Sequence, residues 1–168
     1  GNTVLLGLAL EEATGQTLSD YFSEKIWSRI GTEQDAFWNL DDEGGLEKSF
    51  SAVYASARDF ARLGQLALDS GRWKGEQLIP ENYFNKAWIP VHIPDKDGAA
   101  VVNYGWQWWL GEYEGHPFPS FRGMRGQYIV PLPHLDAVIV RLGHDRPEEV
   151  IDGMTLDLQW HLEFATRI

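Results

Sequence analysis

Gly123 and Gly126 flank Met124 and Arg125 in the stretch Phe118 to Leu142, and here the residue types could serve chemistry. Two glycines in four residues let the backbone turn sharply or approach a ligand closely, at an entropic cost that needs some return. A second feature is Tyr104-Gly-Trp-Gln-Trp-Trp, which brings wide aromatic surface of the kind that lines a cleft. Both have a packing alternative: a bulged hairpin for the glycines and a buried strand for the indoles. Elsewhere the chemistry is sparse. The histidines at 92, 116, 134, 144 and 161 are scattered. No CxxC, HExxH, GxGxxG or Walker pattern is present, so spacing argues for neither a metal nor a nucleotide cofactor. There is no GxSxG elbow. The residues three before the five lysines are Phe22, Gly45, Gly71, Tyr83 and Ile93, so Ser-x-x-Lys is absent too.

The elements that would hold these residues read as a mixture of helices and short strands. Thr3 to Ala13 has apolar residues at helical spacing and stops at Gly15. Thr17 can cap a second helix with Asp20 three residues on, ending near Gly31. Asp35 to Leu40 reads as a short strand. Ser56 to Ser70 is the strongest helix: Ser56 and Asp59 cap it, Phe60, Leu63, Leu66 and Ala67 form one stripe, and Gly71 ends it. Gly71 to Gly75 makes a turn, and a helix from Glu81 to Trp88 follows Pro80. The loop from Pro90 through Gly98 is long enough to act as a flap. Val101 to Leu110 reads as one extended aromatic segment, with Tyr104, Trp106 and Trp108 on one pleat face.

Phe118 onward supplies three strands in a row. Pro131, Pro133, His134 and Asp136 are expected to end the second, since proline cannot donate to a central ladder. Ala137 to Leu142 is a strand candidate, and its Ala-Val-Ile-Val is apolar on both faces, which predicts layers on both sides. Arg146-Pro-Glu-Glu predicts a last helix starting there, with Val150, Ile151, Met154, Leu158 and Leu162 as its stripe.

Composition narrows the partners. At 168 residues, 43% hydrophobic and 23% charged, the chain has one-domain length and ordinary globular composition. A formal charge of −11 argues against nucleic acid or an anionic membrane surface, which need clustered Lys and Arg. No cysteine is present, so disulfides and thiolate metal sites are excluded. No apolar run approaches the roughly 18 residues that span a bilayer. The chain opens without Met inside a patterned segment, which predicts that it continues an upstream part.

Five segments together carry a resemblance: Asn2-Thr-Val-Leu-Leu-Gly-Leu, Glu11-Glu-Ala-Thr-Gly-Gln-Thr-Leu-Ser-Asp-Tyr, Ser56-Ala-Arg-Asp-Phe-Ala-Arg-Leu-Gly, Tyr104-Gly-Trp-Gln-Trp-Trp and Arg122-Gly-Met-Arg-Gly-Gln. From residue 2 to about residue 145 the chain resembles the C-terminal part of the serine β-lactamase-related hydrolases. The similarity is to the class C branch, which includes penicillin-binding-protein-like esterases and 6-aminohexanoate-dimer hydrolase. It implies an α/β (α+β) fold of β-lactamase/transpeptidase type, an antiparallel sheet flanked by helices. Residues 1–168 would then be the C-terminal portion of a single domain, incomplete N-terminally. It also implies an acyl-enzyme mechanism on a small ester, amide or peptide-like substrate, with no cofactor. The family's Ser-x-x-Lys and Tyr lie earlier in the chain, so here they would precede Gly1.

The family's Lys-Thr-Gly or His-x-Gly motif, aligned on Gly123, assigns the backbone oxyanion donor to Met124. It puts Phe121 in the Lys or His position and Arg122 in the Thr position. With no cation at 121, the resemblance favours an esterase or amidase over an enzyme that recognises a β-lactam carboxylate, although Arg122 or Arg125 could supply a charge. Arg122, Gly123, Tyr54 and Trp108 are the expected substrate-side residues, with packing as the competing role for the last two. Arg58 and Asp59 are expected to hold their helix to its neighbours. The alternative is a non-catalytic domain of the same fold that binds peptide or cell-wall fragments. The resemblance is compatible with a periplasmic or other extracytoplasmic location.

Overall fold

The computed structural model describes residues 2–168. The chain divides into two compact units between Asp59 and Phe60.

In the first unit, α1 (Asn2–Thr14) ends where Gly15 takes φ +68°. Its one buried residue is Gly7, where an added Cβ would lie 2.6 Å from the Ser49 Cβ. The helix is held there by the Ser49 hydroxyl, which donates to the Thr3 carbonyl at 2.9 Å. Thr17 caps α2 (Leu18–Phe22) as its spacing predicts, its Oγ1 accepting from the Asp20 N–H at 3.1 Å. The helix widens into a π turn over Ser23–Trp27, and Gly31 follows at φ +69°. The expected strand near 35–40 is a short one, β1 (Phe37–Trp38), paired antiparallel with β2 (Val53–Tyr54).

Helix α3 (Ala57–Leu68) begins at Ser56, whose Oγ accepts from the Asp59 N–H at 3.1 Å and donates to Asp59 Oδ2 at 2.8 Å. The Asp59 carboxylate, fully buried, also accepts from the Glu33 and Gln34 N–H groups at 2.8 and 3.2 Å. Arg58 pairs with Glu33 at 3.5 Å, so both residues tie the helix start to its neighbours, as expected.

In the second unit, β3 (Arg72–Trp73) and β4 (Glu76–Gln77) form a hairpin through Lys74 and Gly75, both at positive φ, and α4 (Glu81–Ala87) follows. The main sheet is antiparallel, in the order β5 (Trp109–Tyr113), β6 (His116–Gly123), β7 (Gln127–Leu132), β8 (Ala137–Arg141). A last hairpin, β9 (Val150–Ile151) and β10 (Met154–Thr155), leads into α5 (Leu156–Ala165).

Register decides which side chains share a face. Phe118, Tyr128 and Val130 lie on one side of the sheet and pack with Met154, Leu158 and Leu162 of the C-terminal hairpin and helix. Burial of each such side chain contributes about 1.5–3 kcal/mol. On the opposite side α3 comes so close that Gly64 has no room for a side chain: a Cβ there would lie 2.3 Å from Val138 Cγ1 and 2.9 Å from Ile129 Cγ2. Strand β8 therefore meets helices on both faces, as its double apolar pattern predicts, although as the outer strand its residues are only half-buried.

One consequence is a substitution whose sign runs against helix propensity. Gly to Ala in a helix interior ordinarily gains about 0.5–1 kcal/mol. At Gly64 overpacking against two branched side chains costs about 1–3 kcal/mol. Gly64→Ala should therefore lower the urea midpoint, and an unchanged or raised midpoint would show that α3 can move off the sheet freely.

Three sequence expectations are corrected. First, Val101 to Leu110 is not one extended segment. The chain folds back on itself so that Tyr104 bridges Trp109 and the Gly105 N–H bonds the Trp108 carbonyl at 2.9 Å, with Gln107 at φ +61°. Glycine at 105 permits this, since a Cβ would lie 2.0 Å from the Ala87 carbonyl oxygen. Trp106 consequently points outward while Trp108 is buried.

Second, Pro131 does not end β7. It pairs with Val138 inside the sheet, and the β6–β7 ladder closes at Phe121–Ile129. Continued two positions further, that register would oppose Pro119 to Pro131, neither of which has an N–H to give. Third, the last helix starts at Leu156 rather than at 146. Asp152 and Gly153, at φ +51° and +74°, make the tight turn of the β9–β10 hairpin, a dipeptide signal that outweighs the apolar spacing on either side of it.

Candidate functional site

The Gly-flanked segment is the loop of the β6–β7 hairpin. Gly123 and Gln127 form the last pair of the ladder, and Met124, Arg125 and Gly126 connect them. Gly123 must lack a side chain there, because a Cβ would lie 2.9 Å from the Gln127 Cβ. Arg125 and Gly126 both adopt left-handed backbone, φ +59° and +79°. Met124 projects outward with 81% of its surface exposed. Its N–H lies one residue past the ladder and has no hydrogen-bond partner among the described residues.

The loop is fixed from behind. Arg141, the last residue of β8, donates from Nη1 to the carbonyls of Gly126 and Arg125 at 2.8 and 3.3 Å and from Nη2 to the Asp145 carbonyl at 2.8 Å. Asp157 in the first turn of α5 is buried and meets Arg141 Nη1 at 3.3 Å. Tyr128 Oη donates to Asp157 Oδ1 at 3.2 Å and shares a 2.8 Å hydrogen bond with Thr155 Oγ1. Gln127 closes the other flank, since its amide bonds both the N–H and the carbonyl of Gly143.

Arg122 and Phe121 leave β6 on opposite faces. Arg122 lies over the Phe118 ring, 5.9 Å from its centroid, and donates from Nε to Ser120 Oγ at 2.9 Å. Burial pushes its pKa below the usual arginine value. The guanidinium stays cationic at any ordinary pH. Gly111 makes room for it, since a Cβ there would lie 2.8 Å from Arg122 Nη2.

Phe121 faces the other way and packs on Trp108 with ring centroids 4.3 Å apart. Trp108 is itself interior, 5% exposed, with its Nε1 donating to Tyr83 Oη at 3.1 Å inside a cluster with Phe84 and Trp88. The structure thus brings Trp108, Arg122, Gly123 and Met124 into the second unit around the end of β6. Tyr54 belongs to the first unit, where it is exposed on β2 and its Oη lies 3.5 Å from Asn39 Nδ2.

A shallow groove of about 450 Å³ lies elsewhere in the second unit, lined by Lys86, Ile89, Pro90, Val91, Ile93 and Trp106. Among the described residues no group of three His, Asp or Glu side chains is placed to hold a metal ion. No helix among them is long and apolar enough to cross a membrane.

Sequence reasoning found the loop but missed Arg141 and Asp157, the two residues that brace it. Neither has a local signal. Arg141 sits at the end of an apolar run and Asp157 at a helix start, where charges are commonplace.

Comparison with known proteins places this architecture. A 6-aminohexanoate-dimer hydrolase of Paenarthrobacter ureafaciens is 27% identical over 153 residues, which is 84% of this chain and 37% of that protein. A solved structure from Bacillus anthracis, provisionally named a 6-aminohexanoate-dimer hydrolase, superposes with a TM-score of 0.79 at 27% identity, covering 96% of this chain and 41% of that one. A provisionally named β-lactamase from Bacteroides dorei DSM 17855 shares the fold at a TM-score of 0.65 and 14% identity, over 96% of this chain and 55% of its own. The chain thus spans less than half the length of the two hydrolases it resembles. The family described as Beta-lactamase matches residues 1–161, nearly the whole sequence, and the helix-flanked antiparallel sheet agrees with it, so the chain belongs to the Beta-lactamase family of serine β-lactamase-related hydrolases.

Proposed function

We propose that residues 1–168 are the C-terminal portion of a single serine hydrolase domain that cleaves ester or amide bonds through an acyl-enzyme. This portion supplies the oxyanion strand and part of the pocket wall, and the nucleophilic Ser, its Lys and the Tyr base lie upstream of Gly1. The observation that carries the proposal is the Met124 N–H, held just beyond the ladder on a braced loop and free to donate. When a serine hydroxyl attacks a carbonyl, the C–O bond forms, the hydroxyl proton passes to the base and the carbonyl oxygen takes the negative charge. A preorganised N–H stabilises that charge without reorganising. Collapse of the intermediate returns the electrons to the carbonyl and expels the alcohol or amine with the proton, and water then releases the acyl group.

Further support comes from α1. Leu5 and Leu6 are 66% and 54% exposed, and Gly7 is the helix's one buried residue. A helix apolar all round is characteristic of a buried one, so α1 is suited to a cover of further polypeptide from the same domain. The hydrolytic class follows the two relatives named for hydrolysis of a 6-aminohexanoate dimer, a substrate joined by an amide. Phe121 in place of a cation at the head of the motif supports an uncharged ester or amide neighbourhood over a β-lactam carboxylate. On this reading Gly123 and Trp108, which backs Phe121, contribute to the substrate side of the second unit, with Arg122 on the other face of β6, and Tyr54 is a candidate within the first unit by itself.

The test uses the protein with its natural upstream sequence. It should hydrolyse p-nitrophenyl esters and react with a fluorophosphonate probe, and replacing the serine of an upstream Ser-x-x-Lys by alanine should abolish both. Absence of any Ser-x-x-Lys before Gly1 would defeat the proposal. Binding of peptide or cell-wall fragments without turnover would instead indicate a non-catalytic domain of the same fold.

A further inference from the structure

We infer that Arg141 and Asp157 are positioning residues for the Met124 amide, a clamp that holds the β6–β7 loop in the geometry an oxyanion donor needs. The inference rests on the reading of Met124 given above.

Left-handed backbone at a non-glycine residue is unfavourable, and Arg125 adopts it next to Gly126, which adopts it as well. Glycine bears this without steric cost, so the cost falls on Arg125, and a contact that holds its peptide offsets it. In this loop the Arg125 and Gly126 carbonyls converge on one guanidinium nitrogen, Arg141 Nη1. Peptide planes whose carbonyls are held in this way cannot swing, and the Met124 N–H, in the 123–124 peptide, lies two peptides before the first of them in the same turn. The space is reserved for the clamp from both sides. A Cβ at Gly126 would lie 1.6 Å from Arg141 Nη1 and one at Gly143 would lie 2.0 Å from it.

Asp157 completes the device. Its carboxylate is almost wholly buried and supplies the countercharge at 3.3 Å, while Tyr128 Oη fixes its other oxygen. The connection therefore runs from α5 to the loop through a single cation, an ion pair on the Asp157 side and hydrogen bonds on the loop side. Lysine has one nitrogen and no fork, so it cannot bond the Gly126 and Asp145 carbonyls together as arginine does.

Two readouts test this in the complete protein. Hydrogen exchange followed by mass spectrometry needs no turnover. Arg141→Ala should speed exchange of the peptide over residues 123–128 about tenfold or more, while the β5 peptide over residues 109–113 stays unchanged. The second readout compares an ester with its thionoester, whose developing sulfur anion is poorly served by N–H donors placed for oxygen. Arg141→Ala should shrink the oxo-to-thiono ratio of kcat about tenfold with KM within about twofold, and Arg141→Lys should restore only part of it. If Arg141→Ala does not fold, Asp157→Asn, which keeps the shape and removes the countercharge, should change both readouts in the same direction.

Unchanged loop exchange and an unchanged ratio in a folded variant would overturn the clamp. A wild-type protein that hydrolyses both esters alike would remove the oxyanion reading of Met124. The exchange result would still decide whether Arg141 holds the loop.

Discussion

Met124→Pro should lower kcat on an ester substrate about 100- to 1,000-fold with little change in KM, the loss expected when one oxyanion donor is removed. Three features make this substitution informative. The Met124 N–H lies outside the ladder, so proline removes no structural hydrogen bond. Met124 is not among the residues at positive φ, which keeps its backbone on the side that proline requires. Its side chain is exposed, so no packing is lost. KM is spared because an oxyanion donor interacts more strongly with the charged intermediate than with the ground-state carbonyl. Met124→Ala, which keeps the N–H, should fall far less. Equal losses in the two variants would assign the effect to the side chain and remove Met124 from the oxyanion role.

Asp59→Ala should destabilise the folded state by about 3–5 kcal/mol, the range for breaking a buried charged network by deleting one member. The carboxylate is fully buried and accepts from the Glu33 N–H, the Gln34 N–H and the Ser56 hydroxyl. Alanine would take the charged acceptor from the Glu33 and Gln34 N–H groups, whose part-buried hydrogen bonds to it contribute about 1.5–3 kcal/mol each, and would also strip the first turn of α3 of its favourable negative charge. Asp59→Asn keeps one acceptor oxygen and should fall between wild type and alanine. Urea denaturation of the three proteins measures the order. A midpoint for Asp59→Ala close to wild type would mean that water replaces the carboxylate at no great cost.

Asp59 also illustrates how a local motif can be legible while its full role is not. Ser56 and Asp59 at three-residue spacing announce a helix start, and the cap is there. That the same carboxylate reaches back to residues 33 and 34 depends on a contact 25 and 26 positions away in sequence. Likewise Asp152-Gly153 contains a local turn signal, yet apolar residues at 150, 151, 154, 158 and 162 also fit a helical stripe. The hairpin prevails because two consecutive left-handed residues cannot lie inside a helix. Trp106 and Trp108 alternate as a strand would, but their opposite fates follow from the Ala87 carbonyl beside Gly105.

By itself the sequence determined the elements with strong local codes: the caps at Thr17 and Ser56, the apolar stripe of α3, the three consecutive strands after Phe118 and the family of the whole. Those are short-range preferences and recurring segments, and a linear reading carries them. Tertiary structure alone decided that Pro131 sits inside a sheet, that Arg122 and Phe121 part to opposite faces, and that Arg141 and Asp157 meet behind the loop at 123–126. Each of these depends on strand register or on a charge pair brought together from distant residues, and one cation shared by a hairpin loop and a helix leaves no mark in the local order of residues.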